Sequence, residues 1–353
     1  MVGTHLEDGD GNTIYLVGTQ VDWNERIKVT GTSSTASSPY ESWFTETDIA
    51  AMKAAGANYV EVHIIPFTYI MPTKNVLNTD YFEDWLDVWI DWATKHKMYI
   101  SIDIKGFSGK ASWAVPYWIW AGAGYPEPTT DAEWNEVIVD FFDTGVSAMD
   151  SNRAAFANAW ALIANRYKDN PYVLFSIINE PFMGFDTMIA DQVSMCVSYA
   201  EVMEQVIDAI HATGATNVII VNRPYTTRYQ SGYGNIYPVD RTGIIWEDHY
   251  YMGSTHSYDL WKSYIDMYVA KIVKTFGKPL IIGEYGYDPQ DYGKIAFPST
   301  WKTYLQNQVK YLDTKGLCGR QWHNWGVFEG EYYDYVFDYY TSSESQDIFD
   351  IVN

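Results

Sequence analysis

Two glutamates stand where apolar runs end: Glu180 in Ile177-Ile178-Asn179-Glu180-Pro181 and Glu284 in Ile281-Ile282-Gly283-Glu284-Tyr285-Gly286. A carboxyl group at the tip of a buried strand holds a proton or stays charged according to its surroundings. Two of them flanking one bond are the equipment for acid/base cleavage of a glycoside. A gap of about 5 to 5.5 Å suits double displacement, with one group as nucleophile, and about 6.5 to 9.5 Å suits inversion through water. The sequence leaves the gap open. A single glutamate at a strand end is commonly a solvated loop-start carboxylate; a pair in matching contexts points to chemistry.

Other polar and aromatic residues fall at the ends of apolar runs in the same way: Gln20, Asp22 and Trp23; Glu61 and His63; Asp103 and Lys105; Asn222 and Arg223; Asp248, His249 and Tyr251; Trp322, His323 and Trp325. His249 and His256 lack the spacing of metal ligands, and Cys196 and Cys318 have no CxxC or Cys/His partner nearby. No metal and no cofactor are expected.

The elements that must position these residues are runs of apolar or β-branched residues: Ile14–Gly18, Tyr59–Ile65, Met98–Ile104, Val173–Ile178, Asn217–Val221, Gly243–Trp246, Pro279–Ile282 and Leu317–Trp322. Amphipathic stretches separate them. Thr45 with Asp48 reads as a capping box, and Gly56, Gly214, Gly277 and Gly316 each close a helix before a strand. Trp85, Trp89 and Trp92 share a helix face, as do Trp261, Ile265, Tyr268 and Ile272, and Cys196 joins the stripe Ala200, Met203, Ile207 and Ile210. The rhythm predicts an α/β fold, a (β/α)8 TIM barrel in a single domain over residues 1–353. A short hairpin over residues 5–18 opens it, and a tail over residues 331–353 is either a closing helix or a cleft-edge extension. In such a barrel the carboxyl ends of the strands carry the chemistry, and strands four and seven lie across the mouth from each other.

Composition narrows the ligand. The chain has 353 residues, 23 Lys plus Arg against 45 Asp plus Glu, and a formal net charge of −22. That charge repels phosphate backbones and anionic lipid, so neither nucleic acid nor membrane is an expected partner. The 15 Trp, 30 Tyr and 15 Phe exceed what a core alone calls for, and flat rings with polar tips suit the apolar faces of sugars. Trp23, Trp113, Tyr117, Trp118, Trp120 and Trp325 are candidates for sugar stacking. No apolar run is long enough to span a membrane, and Met1–His5 lacks a basic-then-apolar leader, which fits a cytosolic protein or a mature secreted form.

Asn152-Arg153 through Trp160, Arg166-Tyr167-Lys168-Asp169-Asn170-Pro171 and Asn179-Glu180-Pro181 together resemble the strand-four signature of glycoside hydrolase family 5, the cellulase-type retaining β-glycanases. Asp248-His249-Tyr250-Tyr251 resembles that family's strand-six His-x-Tyr, and Lys278–Gly286 its strand-seven Gly-Glu-x-Gly. The resemblance implies Glu180 as acid/base and Glu284 as nucleophile. It implies Asn179 on the sugar 2-hydroxyl, His249 and Tyr251 positioning the nucleophile, and Trp322 as a platform under the sugar. The chain departs from the family at two strand ends. Glu61 stands near the strand-two arginine position, and Asp103-Ile104-Lys105 replaces the strand-three Asp-x-His. Arg223, Arg320 or Lys105 are candidates for the missing positive charge, His63 for reaching the sugar, and Glu61 for a buried carboxylate paired with a neighbour.

The resemblance thus implies a divergent member, a retaining endo-β-1,4-glucanase acting on a β-glycan polysaccharide as an extracellular monomer. A β-mannanase or other β-glycan hydrolase is the alternative within the class, and a non-catalytic carbohydrate-binding protein on the same scaffold the alternative outside it.

Overall fold

The computed structural model describes residues 4–21, 45–64, 70–71, 76–77, 81–104, 130–181, 192–224, 236–252, 257–287 and 301–322. Eight parallel strands close a barrel: β1 (Leu16–Val21), β2 (Tyr59–Ile64), β3 (Tyr99–Ile104), β4 (Val173–Ser176), β5 (Ile219–Asn222), β6 (Ile244–Met252), β7 (Leu280–Tyr287) and β8 (Gly319–Trp322). Each strand pairs with the next, and β8 closes on β1 through Leu16–Gly319 to Thr19–Trp322. The helices between them are α1 (Glu46–Ala54), α2 (Asp87–Lys95), α3 (Asp131–Phe142), α4 (Asp150–Tyr167), α5 (Gln192–Ala212), α6 (Tyr258–Tyr268) and α7 (Trp301–Leu312). The expected (β/α)8 architecture is the one observed. None of the described helices is long and apolar enough to cross a membrane.

Punctuation behaves as the sequence predicts. The Thr45 amide donates to Asp48 Oδ2 at 2.8 Å to open α1. Gly56, Gly214, Gly277 and Gly316 all adopt φ between +65 and +101°, the left-handed conformation that ends a helix without a Cβ penalty. Trp89, Trp261, Ile265, Tyr268 and Ile272 are fully buried on helix faces, and Trp85 lies in the π turn Phe82–Leu86 that leads into α2. Cys196 and Cys318 are free and buried.

Period two sorts the strand residues into two cores. Outward-facing Val60, Val62, Ile100 and Ile102 pack beneath the helices. Inward-facing Leu16, Tyr59, Leu174, Ile220, Ile245 and Ile281, with Cys318, form a separate apolar plug at the barrel floor. Leu6 joins that plug from the antiparallel hairpin Leu6–Glu7/Thr13–Ile14. The hairpin therefore ends at Ile14 rather than at residue 18, because Leu16 already belongs to the barrel ladder. Above the plug the interior turns polar: Glu61, Ser101, Ser176, Asn222 and Glu247 are all buried. This explains why β6 and β7 run on to Met252 and Tyr287, past the expected ends at Trp246 and Ile282. An apolar run stops where the barrel lining becomes hydrophilic, but the ladder continues.

Aromatic donors on the helices hold the upper ends of three strands. Trp160 Nε1 donates to Ile177 O at 3.0 Å, Tyr199 OH to Asn222 O at 2.7 Å and Trp261 Nε1 to Tyr250 O at 2.8 Å. Each bond anchors backbone at or next to a polar strand tip and fixes it against its own helix. Part of the large aromatic content is thereby structural. Asp22, Trp23, Lys105, Trp113, Tyr117, Trp118, Trp120, His256, His323, Trp325 and the tail over residues 331–353 lie outside the described residues.

Gly18 on β1 has no room for a side chain, since a Cβ there would lie 2.4 Å from the Tyr59 carbonyl oxygen, whereas one at Gly9 meets nothing within 4 Å. Gly18→Ala is expected to cost about 1–3 kcal/mol through overpacking against backbone, and Gly9→Ala to stay within about 0.5 kcal/mol. Denaturant unfolding of the two variants checks the contrast; equal effects would contradict it.

Candidate active site

Glu180 follows the end of β4 and Glu284 lies on β7, and both turn into the barrel mouth by special backbone geometry. Glu180 adopts φ +43°, a left-handed conformation that costs a non-glycine residue energy and is further disfavoured before a proline. The pairing of β6 with β7 shifts register between Asp248–Ile282 and His249–Glu284, so Gly283 is an extra, bulged residue. The bulge places Glu284 beside His249. Gly283 itself makes space for Glu247, whose Oε1 would lie 1.6 Å from any Cβ at that position.

His249 joins the two glutamates. Its Nδ1 lies 3.0 Å from Glu180 Oε1 and 3.3 Å from Glu284 Oε1, and its Nε2 lies 3.4 Å from Glu247 Oε1. One oxygen of each catalytic candidate and a nitrogen of the ring fall within 4.8 Å of one another. The carboxylate gap is thus short, in the range for double displacement rather than inversion. Burial opposes a charged imidazole at His249, but the charge of Glu284 and the hydrogen bonds to Glu180 and Glu247 outweigh it and raise its pKa well above the ordinary value.

Glu284 is held on both oxygens. Tyr251 OH donates to Oε2, and Gln20 Nε2 donates to Oε1 at 2.9 Å. Asn179 is buried beside Glu180, and its Oδ1 has no hydrogen-bond partner among the described residues. Trp322 ends β8, where its carbonyl accepts from Thr19 Oγ1 at 3.1 Å, and it is 1% exposed. The structure therefore gathers Glu180, Glu284, His249 and Tyr251 into one hydrogen-bonded group. Trp322 is packed into the core that the strands share with the helices.

Strand parity decides the fate of the expected cations. Asn222 points inward, where its Nδ2 donates to Glu247 Oε2 at 2.8 Å, so its neighbour Arg223 faces outward. There Arg223 Nε pairs with Asp248 Oδ1 at 2.7 Å and its guanidinium lies over the Tyr268 ring. Gln321 points toward Glu61, and Arg320 therefore faces outward to Asp313 and the Tyr285 hydroxyl. Neither arginine is the positive charge facing Glu284; among the described residues that charge is His249. His63 is fully buried, with Nε2 3.2 Å from Asp103 Oδ2 and 3.5 Å from Glu61 Oε1. Glu61 is the buried carboxylate paired with its neighbours, accepting from Ser101 Oγ at 2.9 Å and Tyr59 OH at 3.2 Å.

Below the mouth the acids divide by charge state. Burial pushes Glu61 up, but the hydrogen bond and charge of His63, with His249 and Ser101, leave it below the usual range. Asp103 is raised by burial and by the charge of Glu61. Glu247 is pushed up to about 7, by burial first and the charge of Glu61 second. Among the described residues two sets of side chains have atoms close enough to ligate an ion, Glu61 with His63 and Asp103, and Glu180 with His249 and Glu284. Sequence spacing had revealed no such cluster, because both sets assemble across different strands. Glu247 is not among the strand-end residues that the apolar runs mark, and Gln20 is among them without a role. The signal for Glu247 is the alternation Ile245-Glu247-His249-Tyr251, which continues one inward face from apolar to polar, as Leu16-Gly18-Gln20 does on β1.

Residues 18–327 match the model of the cellulase family, glycosyl hydrolase family 5. Among solved structures, endo-glycoceramidase II from Rhodococcus sp. superimposes with a TM-score of 0.73 at 19% identity, covering 98% of this chain and 80% of that one. XacCel5A in complex with cellopentaose gives 0.62 at 16% identity over 92% of this chain and 93% of that one. An endogalactoceramidase gives 0.69 at 17% identity over 92% and 74%. At these identities the likeness is one of fold. No curated protein matches the sequence.

The raised pKa of Glu247 has a stability consequence. Its carboxyl binds a proton more tightly in the fold than in the unfolded chain, so its contribution is full below about pH 4.5 and is lost as pH rises through about 7. Glu247→Gln keeps an oxygen for Asn222 and removes the titration. The fall in unfolding free energy between pH 4.5 and 7 is expected to be shallower in the variant by roughly 1–3 kcal/mol. Denaturant melts across that range measure it, and an unchanged slope would contradict the assignment.

Proposed function

Because this chain belongs to the cellulase family, glycosyl hydrolase family 5, we propose that it is a retaining endo-β-1,4-glucanase in which Glu284 is the nucleophile and Glu180 the acid/base. One observation carries the reading: a single ring nitrogen, His249 Nδ1, lies within reach of both carboxylates. The family supports a retaining glycoside hydrolase, and the short gap between the two glutamates agrees with it.

In the first step the Glu284 carboxylate attacks the anomeric carbon while Glu180 gives its proton to the departing glycosidic oxygen. The products are a glycosyl ester on Glu284 and the reducing-end fragment, which leaves with the protonated glycosidic oxygen as its new hydroxyl. In the second step Glu180 takes a proton from water, the hydroxide attacks the anomeric carbon from the vacated side, and the ester breaks with net retention. His249 serves both halves. While Glu284 is charged, the imidazolium is shared between the two glutamates; once esterification removes that charge, it pairs with Glu180 and stabilises it as the base. Tyr251 and Gln20 orient the two oxygens of Glu284. Asn179 Oδ1, buried and unpaired among the described residues, is suited to accept from a sugar hydroxyl near the reacting carbon. Trp322, which the resemblance implied as a platform, lies instead in the core between strands and helices and is 1% exposed.

A polymeric glucan cannot enter a cell, so the proposal carries an extracellular location, with one catalytic domain acting as a monomer. A second substrate enters from the structural neighbours: endo-glycoceramidase II is described with ganglioside GM3 and with a cellobiose-like imidazole. A ceramide is thus a rival aglycone for the same chemistry.

Reducing-sugar release from carboxymethylcellulose, mannan and xylan, with glycan release from a ganglioside, separates these readings. Glucan cleavage is expected, and activity on mannan or ganglioside alone would overturn the glucanase assignment. Glu284→Ala is expected to lower kcat by at least about 10³-fold while sparing sugar binding. Glu180→Ala is expected to abolish polysaccharide cleavage yet retain the glycosylation step with an aryl β-cellobioside whose leaving group needs no proton. Full activity in either variant, or a parent protein that binds glucan without cutting it, would defeat the proposal.

A further inference from the structure

Glu61 stands near the strand-two position where the family pattern has an arginine, and Glu284 is met instead by a neutral amide from β1. Gln20, on β1 and fully buried, lies 2.9 Å from Glu284 Oε1 through Nε2. The same nitrogen lies 3.1 Å from Glu61 Oε1 and 2.6 Å from His63 Nε2. An amide nitrogen has two hydrogens and the amide oxygen has none. With the nitrogen toward the carboxylates, one hydrogen serves Glu284 and the other Glu61; a reversed amide would aim its oxygen at both acids. The alignment is fixed from below as well. Gln20 is in register with Glu61 on the neighbouring strand. Glu61 is itself pinned by Tyr59 and Ser101, and His63 abuts Asp103.

Resting on the reading of Glu284 as nucleophile, we propose that Gln20 is a positioning residue of the reaction, a neutral donor that Glu61 holds against the nucleophile in a chain that lacks the family's strand-two cation. A neutral donor has a particular consequence. It stabilises the charged carboxylate and sets its direction without adding a positive charge to a site where His249 already carries one. Loss of the donor therefore weakens attack and also makes the nucleophile easier to protonate. A residue that only filled space would do neither selectively.

The test uses the full chain with Gln20→Met, which keeps length and volume but removes both hydrogens, and Gln20→Asn, which keeps the amide but withdraws it by one methylene. The substrate is an aryl β-cellobioside with a good leaving group, so that the glycosylation step is read. For both variants kcat/KM is expected to fall by about 10- to 100-fold, with its acidic limb displaced to higher pH and the melting temperature changed little in the Asn variant. A pH profile that keeps its shape, or a loss that only follows a fall in melting temperature, would overturn the proposal. A 2-deoxy-2-fluoro glycoside run on the parent separates this failure from failure of its premise. Labelling of Glu284 with unaltered variant profiles removes Gln20 alone, whereas labelling of another residue removes both.

Discussion

Burying several acids in one barrel is the constraint that the rest of the site answers. Glu61, Asp103, Glu247 and Glu284 are buried on the inside of the strand ends, where little water remains to screen them, and the partly exposed Glu180 joins them at the rim. Isolated carboxylates in such a place would take up protons rather than pay the cost of desolvation. Two of them are shifted in that direction: burial raises both Asp103 and Glu247. The charge that remains is balanced by His249, which faces Glu180, Glu284 and Glu247 from one ring. The electrostatics around Glu284 are set by acids whose pKa values are raised and by a histidine whose pKa is raised as well. The site's reactivity is therefore a property of the whole inner face, not of two glutamates.

The backbone supplies the aim. A bulge at Gly283 rotates Glu284 to the side of His249, and a left-handed turn at Glu180 brings the second carboxyl to the same nitrogen. Both are locally unfavourable, and both occur beside strands whose neighbouring backbone is fixed from outside. Trp160 bonds the carbonyl of Ile177, three residues before Glu180, and Trp261 bonds that of Tyr250, next to His249. The packed outer core thus resists the relaxation that the inner geometry would otherwise undergo. At the other end the apolar plug around Tyr59, Ile220 and Ile281 seals the floor, so the polar layer opens only toward the mouth.

Much of this arrangement was legible in the sequence, for reasons that differ by element. The eight strands announced themselves as apolar runs because each is covered on its outer face by a helix, and the two glutamates stood out because those runs end at them. The upper halves of β6 and β7 did not, since a hydrophilic lining looks like loop when only hydrophobicity is read. The direction of Arg223 and Arg320 was hidden for a related reason. Parity along a strand sends one neighbour inward and the next outward, and without the register both looked equally able to serve the nucleophile. The motif residues resembling the family's strand-four signature also divide on inspection. Arg153 caps the end of α3 through the carbonyls of Phe141, Asp143 and Val146, and Arg166 with Tyr167 holds Asp87 of α2. They build the scaffold, and only Asn179 and Glu180 reach the mouth.

The central claim is that two carboxylates sharing one histidine act on a single anomeric carbon, with Glu284 forming the covalent bond. Incubation with a 2-deoxy-2-fluoro-β-cellobioside, followed by proteolysis and mass spectrometry of the trapped enzyme, reads that bond directly. The account predicts one equivalent of fluoroglycosyl ester on the peptide containing Glu284, released on addition of an acceptor sugar. Modification of Glu180 or of a residue outside the barrel mouth would contradict it.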